Sequence, residues 1–220
     1  MLFDIDGTLI RRAGPHHREA LVEAIRKVMR VETTMDNINT AGMLDQDILA
    51  EMLREAGVPR SRVREHLPAV MRRAQSLYEK ETPSLRGKVC PGARRLLGRL
   101  KRAGVPSILV TGNLSRIGWR KMELAGLSEF FATGAFAEEA RTRAGLAKIA
   151  IRYARQKGWI DIRSRVSLIG DHPNDVMAAR EAGAQSIAVA TGVTSEQELA
   201  AHNPNVLVAD LRALAMEALL

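Results

Sequence analysis

Met1-Leu2-Phe3-Asp4-Ile5-Asp6-Gly7-Thr8-Leu9 passes from a short apolar run to two aspartates one residue apart, then to a glycine. The apolar triplet reads as the end of a buried strand, Asp4 as its boundary and Gly7 as the place where the chain turns away. The arrangement recurs twice. Ser107-Ile108-Leu109-Val110 runs into Thr111-Gly112-Asn113, and Val166-Ser167-Leu168-Ile169-Gly170 runs into Asp171, with Asp175 four residues on. Apolar runs at 186–189 and 205–208, and a weaker one at 130–132, extend the strand set. Amphipathic helical stretches lie between most of them: one opened by Pro91-Gly92, then 115–125, 146–157 and 174–182, the last three stopped by Gly126, Gly158 and Gly183. Continuous apolar strands alternating with helices imply an α/β fold, a doubly wound parallel sheet covered on both faces.

One region breaks the alternation. From Pro15 to Pro83 no strand pattern occurs, and helical periodicity runs through 17–29, 46–56 and 63–81. The expected organisation is a core of residues 1–14 and 84–220 carrying an all-helical insert, 15–83.

In a doubly wound sheet the ligand lies beyond the carboxyl ends of the strands, where strand order reverses. Asp4, Asp171 and Asp175 can meet there. Unpaired, three carboxylates repel and raise one another's pKa. A hard divalent cation relieves that conflict, and magnesium fits because it takes few carboxylates and completes its shell with water and phosphate oxygens. Without a histidine or cysteine set, zinc is disfavoured. Asp4 and Asp6 share a side on an extended strand. One can attack while the other handles protons. Each segment also has a purely structural reading: Asp6-Gly7-Thr8 a turn, Thr111-Gly112-Asn113 a loop, Asp171 and Asp175 a helix start. All three at strand ends in one chain favour a site.

The chain resembles the haloacid dehalogenase-like superfamily over nearly its whole length. Its first motif is read in Asp4-Ile5-Asp6-Gly7-Thr8-Leu9, its second at Thr111, and its fourth in Gly170-Asp171-His172-Pro173-Asn174-Asp175. The helical insert is similar to the cap of phosphoglycolate-phosphatase-like members, and the resemblance implies a Rossmann-like core with a helical cap and phosphatase activity toward a small phosphorylated metabolite. It implies Asp4 as nucleophile and magnesium ligand, and Asp6 as general acid/base that lends its carbonyl to the metal. Thr111, with Gly112 and Asn113, would hold the phosphoryl group; Asp171 and Asp175 would hold Mg2+. The third motif is a cation near the start of the helix before the fourth-motif strand. Arg143 and Lys148 both fit, and Arg143 is favoured because it lies just ahead of the helix expected from 146. Two substrate contacts are weaker expectations: Asp45, which equally serves as a helix cap, and His172, either a loop residue or part of the site entrance. Rival functions are a hexose-phosphate mutase of the same superfamily, a dehalogenase, which Asp6 and the Asp171/Asp175 pair oppose, and a non-catalytic binding protein on this scaffold.

Composition narrows the field. The 220 residues are 46% apolar and 26% charged, ordinary for a globular protein. The net charge of +8 is scattered arginine, and aromatics are only 4%, so no nucleic-acid partner is expected. The single cysteine, Cys90, excludes an internal disulfide framework and reads as a small buried hydrophobe. No apolar run approaches the roughly 20 residues of a membrane span, and Asp4 speaks against a signal peptide, so a cytoplasmic protein is the expectation. Oligomeric state is left open. Only three residues precede Asp4, short for a central strand, which suggests further apolar residues upstream.

Overall fold

The computed structural model describes residues 1–11 and 14–215. In chain order, β1 (Leu2–Phe3) is followed by three helices, α1 (His16–Met29), α2 (Asp45–Glu55) and α3 (Arg60–Glu81). Then come α4 (Ala93–Arg102), β2 (Ile108–Val110), α5 (Ser115–Ala125), β3 (Thr133–Ala135) and α6 (Arg143–Gln156). The chain continues with β4 (Ser167–Gly170), α7 (Pro173–Glu181), β5 (Gln185–Val189), α8 (Glu196–Ala201) and β6 (Val206–Val208). The fold is a doubly wound α/β core with an inserted all-helical cap, α1–α3. Among the described residues no helix is long and apolar enough to cross a membrane.

The sheet order is β3-β2-β1-β4-β5-β6, and every pairing is parallel. β1 is central: Leu2 lies opposite both Ile108 and Leu168. The chain winds outward from β1 through β2 to β3, then crosses back to β4. That reversal opens a crevice beyond the carboxyl end of β1.

Period-two alternation sorts the core into two layers. Leu2, Ile108, Val110 and Leu168 join apolar residues of α6, α7 and the cap, including Leu21, Ile25, Val70 and Ala74. Phe3, Leu109, Ile169 and Ile187 face the other way, against Leu96, Leu97 and Leu100 of α4 and Met122 of α5. Phe3 is fully buried, edge-on to Phe131 at 5.8 Å, and such burial contributes about 1.5–3 kcal/mol. Cys90 packs in this second layer, and burial pushes its thiol up to about 11.

Two elements differ from expectation. The strand expected at 130–132 is displaced: 128–130 forms a 3-10 turn and β3 occupies Thr133–Ala135. Small residues hold that strand because the Phe136 ring lies against Gly134, where a Cβ would come 2.5 Å from Phe136 Cζ. The phenylalanines supplying the apolar signal pack against neighbours instead. α6 begins at Arg143 rather than near 146, because Thr142 Oγ1 accepts from Gly145 N–H at 3.0 Å and caps the helix earlier.

Candidate active site

β1 and β4 deliver Asp4 and Asp171 side by side beyond the sheet, and the first turn of α7 adds Asp175. One oxygen from each of these buried carboxylates lies within 4.8 Å of the others. Asp171 Oδ1 accepts from Thr8 Oγ1 at 2.9 Å. Asp175 Oδ2 accepts from His172 N–H at 3.1 Å, and His172 Nδ1 accepts from Asn174 N–H. His172 is therefore the cap of α7, and it also lines the cavity. Arg143 Nη1 donates to Asp4 Oδ1 at 2.8 Å, and its Nε lies 3.3 Å from Asp175 Oδ1. Lys148, the other candidate cation, is exposed.

Burial, then the charges of Asp4 and Asp175, push the Asp171 carboxyl well above the usual aspartate range. Burial pushes Asp175 up too, against the downward pull of Arg143. Burial opposes the Arg143 charge, but Asp175 and Asp4 outweigh it and hold the guanidinium more firmly protonated. Asp175 Oδ1 is buried with no hydrogen-bond partner. An all-oxygen cluster with more negative than positive charge, in which Asp175 Oδ1 accepts no hydrogen bond and has only the Arg143 Nε contact at 3.3 Å, fits a hard divalent cation.

Asp6 points its carboxylate into the same cavity from two residues beyond Asp4. Its Oδ2 accepts from Asn113 Nδ2 at 2.8 Å and from Lys121 Nζ at 2.6 Å. Partial removal from water pushes the Asp6 carboxyl up, the Lys121 charge and the hydrogen bonds from Lys121 and Asn113 push it down, and it sits below the usual aspartate value. Thr111 is fully buried at the end of β2, its Oγ1 accepting from Asn113 Nδ2 at 2.7 Å. Gly112 O accepts from Asp45 N–H at 2.8 Å, and a Cβ on Gly112 would lie 2.5 Å from Met43 O. Asp45 is buried as the first residue of α2 and makes no cap hydrogen bond. Its Oδ2 accepts instead from Leu114 N–H at 2.8 Å and meets His17 Nε2 at 2.9 Å, which ties cap to core.

Nine of the ten expected site residues line one cavity of about 990 Å³; the tenth, Asp175, does not line it but clusters with Asp4 and Asp171. Cap residues Leu21, Met35, Ile38, Met43 and Ile48 form its apolar wall. Lys121 and His17 were not among the expected residues. Lys121 carries a sequence signal: it shares a helical face with Ile117, Gly118, Met122 and Ala125, all buried, where an apolar residue is the norm.

Glycines make room for the acids. A Cβ on Gly7, whose φ is +81°, would lie 2.1 Å from Asp171 Oδ2, and one on Gly192 only 1.6 Å from the same atom. Gly192→Ala is therefore expected to push Asp171 off Thr8 and to destabilise the protein by about 1–3 kcal/mol. Urea unfolding checks this; an unchanged midpoint contradicts the crowding.

The family model described as haloacid dehalogenase-like hydrolase matches residues 1–183. A phosphoglycolate phosphatase of Caulobacter vibrioides is 28% identical over 201 residues, covering 88% of this chain and 80% of that protein. One from Pseudomonas syringae pv. tomato is 25% identical over 97% of this chain and 77% of its own. Among solved structures, CbbY from Rhodobacter sphaeroides in complex with phosphate superposes with a TM-score of 0.72 at 21% identity, over 99% of this chain and 97% of that one. A β-phosphoglucomutase from Clostridium difficile gives 0.71 at 18%, over 98% and 92%. At these identities the structures speak to the fold alone.

Proposed function

Because the chain belongs to the haloacid dehalogenase-like hydrolase family, we propose that it is a magnesium-dependent phosphatase that cleaves a small phosphomonoester through an aspartyl-phosphate on Asp4. The reading is carried by one observation: three buried carboxylates within 4.8 Å of one another, with Asp6 facing the same cavity. The relatives' names support phosphomonoesters as the substrate class and make phosphoglycolate the first compound to try, followed by small sugar phosphates.

In this reading an Asp4 oxygen attacks phosphorus while the ester P–O bond breaks, and Asp6 gives its proton to the leaving oxygen. Water then attacks the phosphorus. Asp6 takes the water's proton, and the Asp4 O–P bond breaks to return the carboxylate and inorganic phosphate. The depressed Asp6 pKa suits the second half, in which Asp6 must start ionised; for the first half Asp6 takes up a proton from solvent as the negatively charged ester enters the cavity, because a nearby negative charge favours the neutral carboxyl. Thr111 and Arg143, with Gly112 and Asn113, hold the phosphoryl oxygens. A magnesium ion held by Asp4, Asp171, Asp175 and the Asp6 carbonyl supplies the remaining positive charge that phosphoryl transfer needs. Residues 15–83 act as the cap, whose apolar wall excludes water and selects the leaving group.

The deciding assay is release of 4-nitrophenolate from 4-nitrophenyl phosphate with and without magnesium; release that ignores the metal rejects this reading. Binding itself is measurable without turnover. Magnesium at about 100 times its dissociation constant adds about 2.7 kcal/mol, which for a chain of this length raises Tm by roughly 5–10 °C. The ligands bind as carboxylates, so the rise is expected to be larger at pH 8 than at pH 5. Asp171→Asn is expected to remove most of it in a thermal melt; an equal rise in the variant contradicts the assignment.

A further inference from the structure

Lys121 is 1% exposed, on the core-facing side of α5. A buried ammonium is costly unless every N–H finds an acceptor. Here three acceptors surround Nζ: Asp6 Oδ2 at 2.6 Å, Asn113 Oδ1 at 2.6 Å and His17 Nδ1 at 3.2 Å. An ammonium only donates, so His17 Nδ1 accepts, and Nε2–H donates to Asp45 Oδ2. The lysine thus stands between the core and cap helix α1. Asn113 closes a smaller ring, accepting from Lys121 while donating to Asp6 Oδ2. Both restraints fall on one oxygen of Asp6. The other, Oδ1, makes no side-chain hydrogen bond among the described residues, and the Asp6 side chain is 43% exposed on the cavity.

We propose that Lys121 is a positioning residue that, with Asn113, pins Asp6 Oδ2 so that Oδ1 is presented to the leaving oxygen of the substrate. Lys121 does not touch the substrate. The inference rests on the reading of Asp6 as the acid/base group and extends it by naming what aims that group. Proton transfer in the transition state needs the donor within hydrogen-bond reach of the departing atom, and a carboxylate free to swing spends little time there.

The test uses leaving groups that differ in their need for a proton. Phenoxide is a more basic leaving group than 4-nitrophenolate, so phenyl phosphate draws more on Asp6. Values of kcat/KM for both esters are measured with magnesium for the wild type, Lys121→Met and Asp6→Asn. Methionine keeps the unbranched stem and removes the ammonium. The expected result is a ratio of 4-nitrophenyl to phenyl phosphate kcat/KM raised by on the order of tenfold in Lys121→Met, in the direction of Asp6→Asn. An equal fall for both esters assigns Lys121 a merely structural role and overturns the proposal. A gain for phenyl phosphate overturns it too, because Lys121 would then restrain the acid. If Lys121→Met melts below the assay temperature, Lys121→Gln, which keeps one donor, carries the comparison and is expected to fall between wild type and Asp6→Asn. If the wild type releases phosphate from neither ester, the phosphatase reading itself fails. If the proposal alone fails, the wild type is active and Asp6→Asn raises the ratio while the Lys121 variants leave it unchanged; an unchanged ratio in Asp6→Asn as well overturns the acid/base reading of Asp6.

Discussion

Asp4→Asn is expected to abolish magnesium-dependent release of 4-nitrophenolate, lowering kcat by roughly 10⁴-fold or more, the scale of losing a covalent nucleophile. An amide is nearly the shape of a carboxylate, so the central strand and its neighbours stay in place. The amide keeps an oxygen for the Arg143 contact but has no anionic oxygen to attack phosphorus. The fold is therefore expected to survive while turnover vanishes. One fewer negative charge lies beside Asp171 and Asp175, so the metal-free variant is expected to be no less stable than wild type. Single-turnover quench with a labelled ester provides the second readout: wild type retains acid-stable label on protein, and the variant does not. Turnover by Asp4→Asn near the wild-type rate eliminates Asp4 as the attacking group.

Arg143→Met carries the second large effect. Arg143 meets the cluster of three carboxylates directly, through Asp4 Oδ1 and Asp175 Oδ1. Removing an oriented donor from a transferring group costs about 10²–10³ in kcat. Breaking a buried ion pair by deleting one partner costs about 3–5 kcal/mol when the other charge is left bare. Here the carboxylates can take up protons instead, so the loss depends on pH. Asp171 and Asp175 have folded-state pKa values above their unfolded ones. Such groups contribute stability below the unfolded pKa, and it is lost as pH rises through the folded pKa. Without the guanidinium the Asp175 value is expected to rise further. Metal-free Arg143→Met is therefore expected to melt near wild type at pH 5 and well below it at pH 8. Equal melting differences at both pH values rule out Arg143 as the counter-charge.

Asp4 and Asp171 were legible because each follows an apolar run, and Asp6 and Asp175 because they stand two and four residues beyond them. That pattern is local and pointed to the parallel core together with the four acids, whereas the helical insert was legible from helical periodicity in a stretch without strands. Arg143 was legible from its place ahead of a helix, although the helix begins on that residue. Asp45 was harder to read: its short distance from an expected helix suggested a cap, whereas its partners are Leu114 and His17, 69 and 28 residues away. Lys121 and His17 acquire meaning only when α5 and α1 face one another across the crevice, 104 residues apart in sequence. Gly192 has no motif around it. Its requirement for a missing side chain comes from Asp171, which another strand delivers.

The placement of β1 has a consequence for biogenesis. Its two neighbours are residues 108–109 and 168–169. On the ribosome, the segment bearing Asp4 leaves the exit tunnel long before either neighbour has been translated. The nascent chain must carry an unmatched central strand at least until residues 108–110 have been made, and the helical insert has time to fold first. A transcript truncated before β4 yields a sheet split open at its middle, an edge that invites association with other chains. Quality control then meets these fragments as clients for chaperones and proteases, while the carboxylate cluster exists only in chains extended past Asp175.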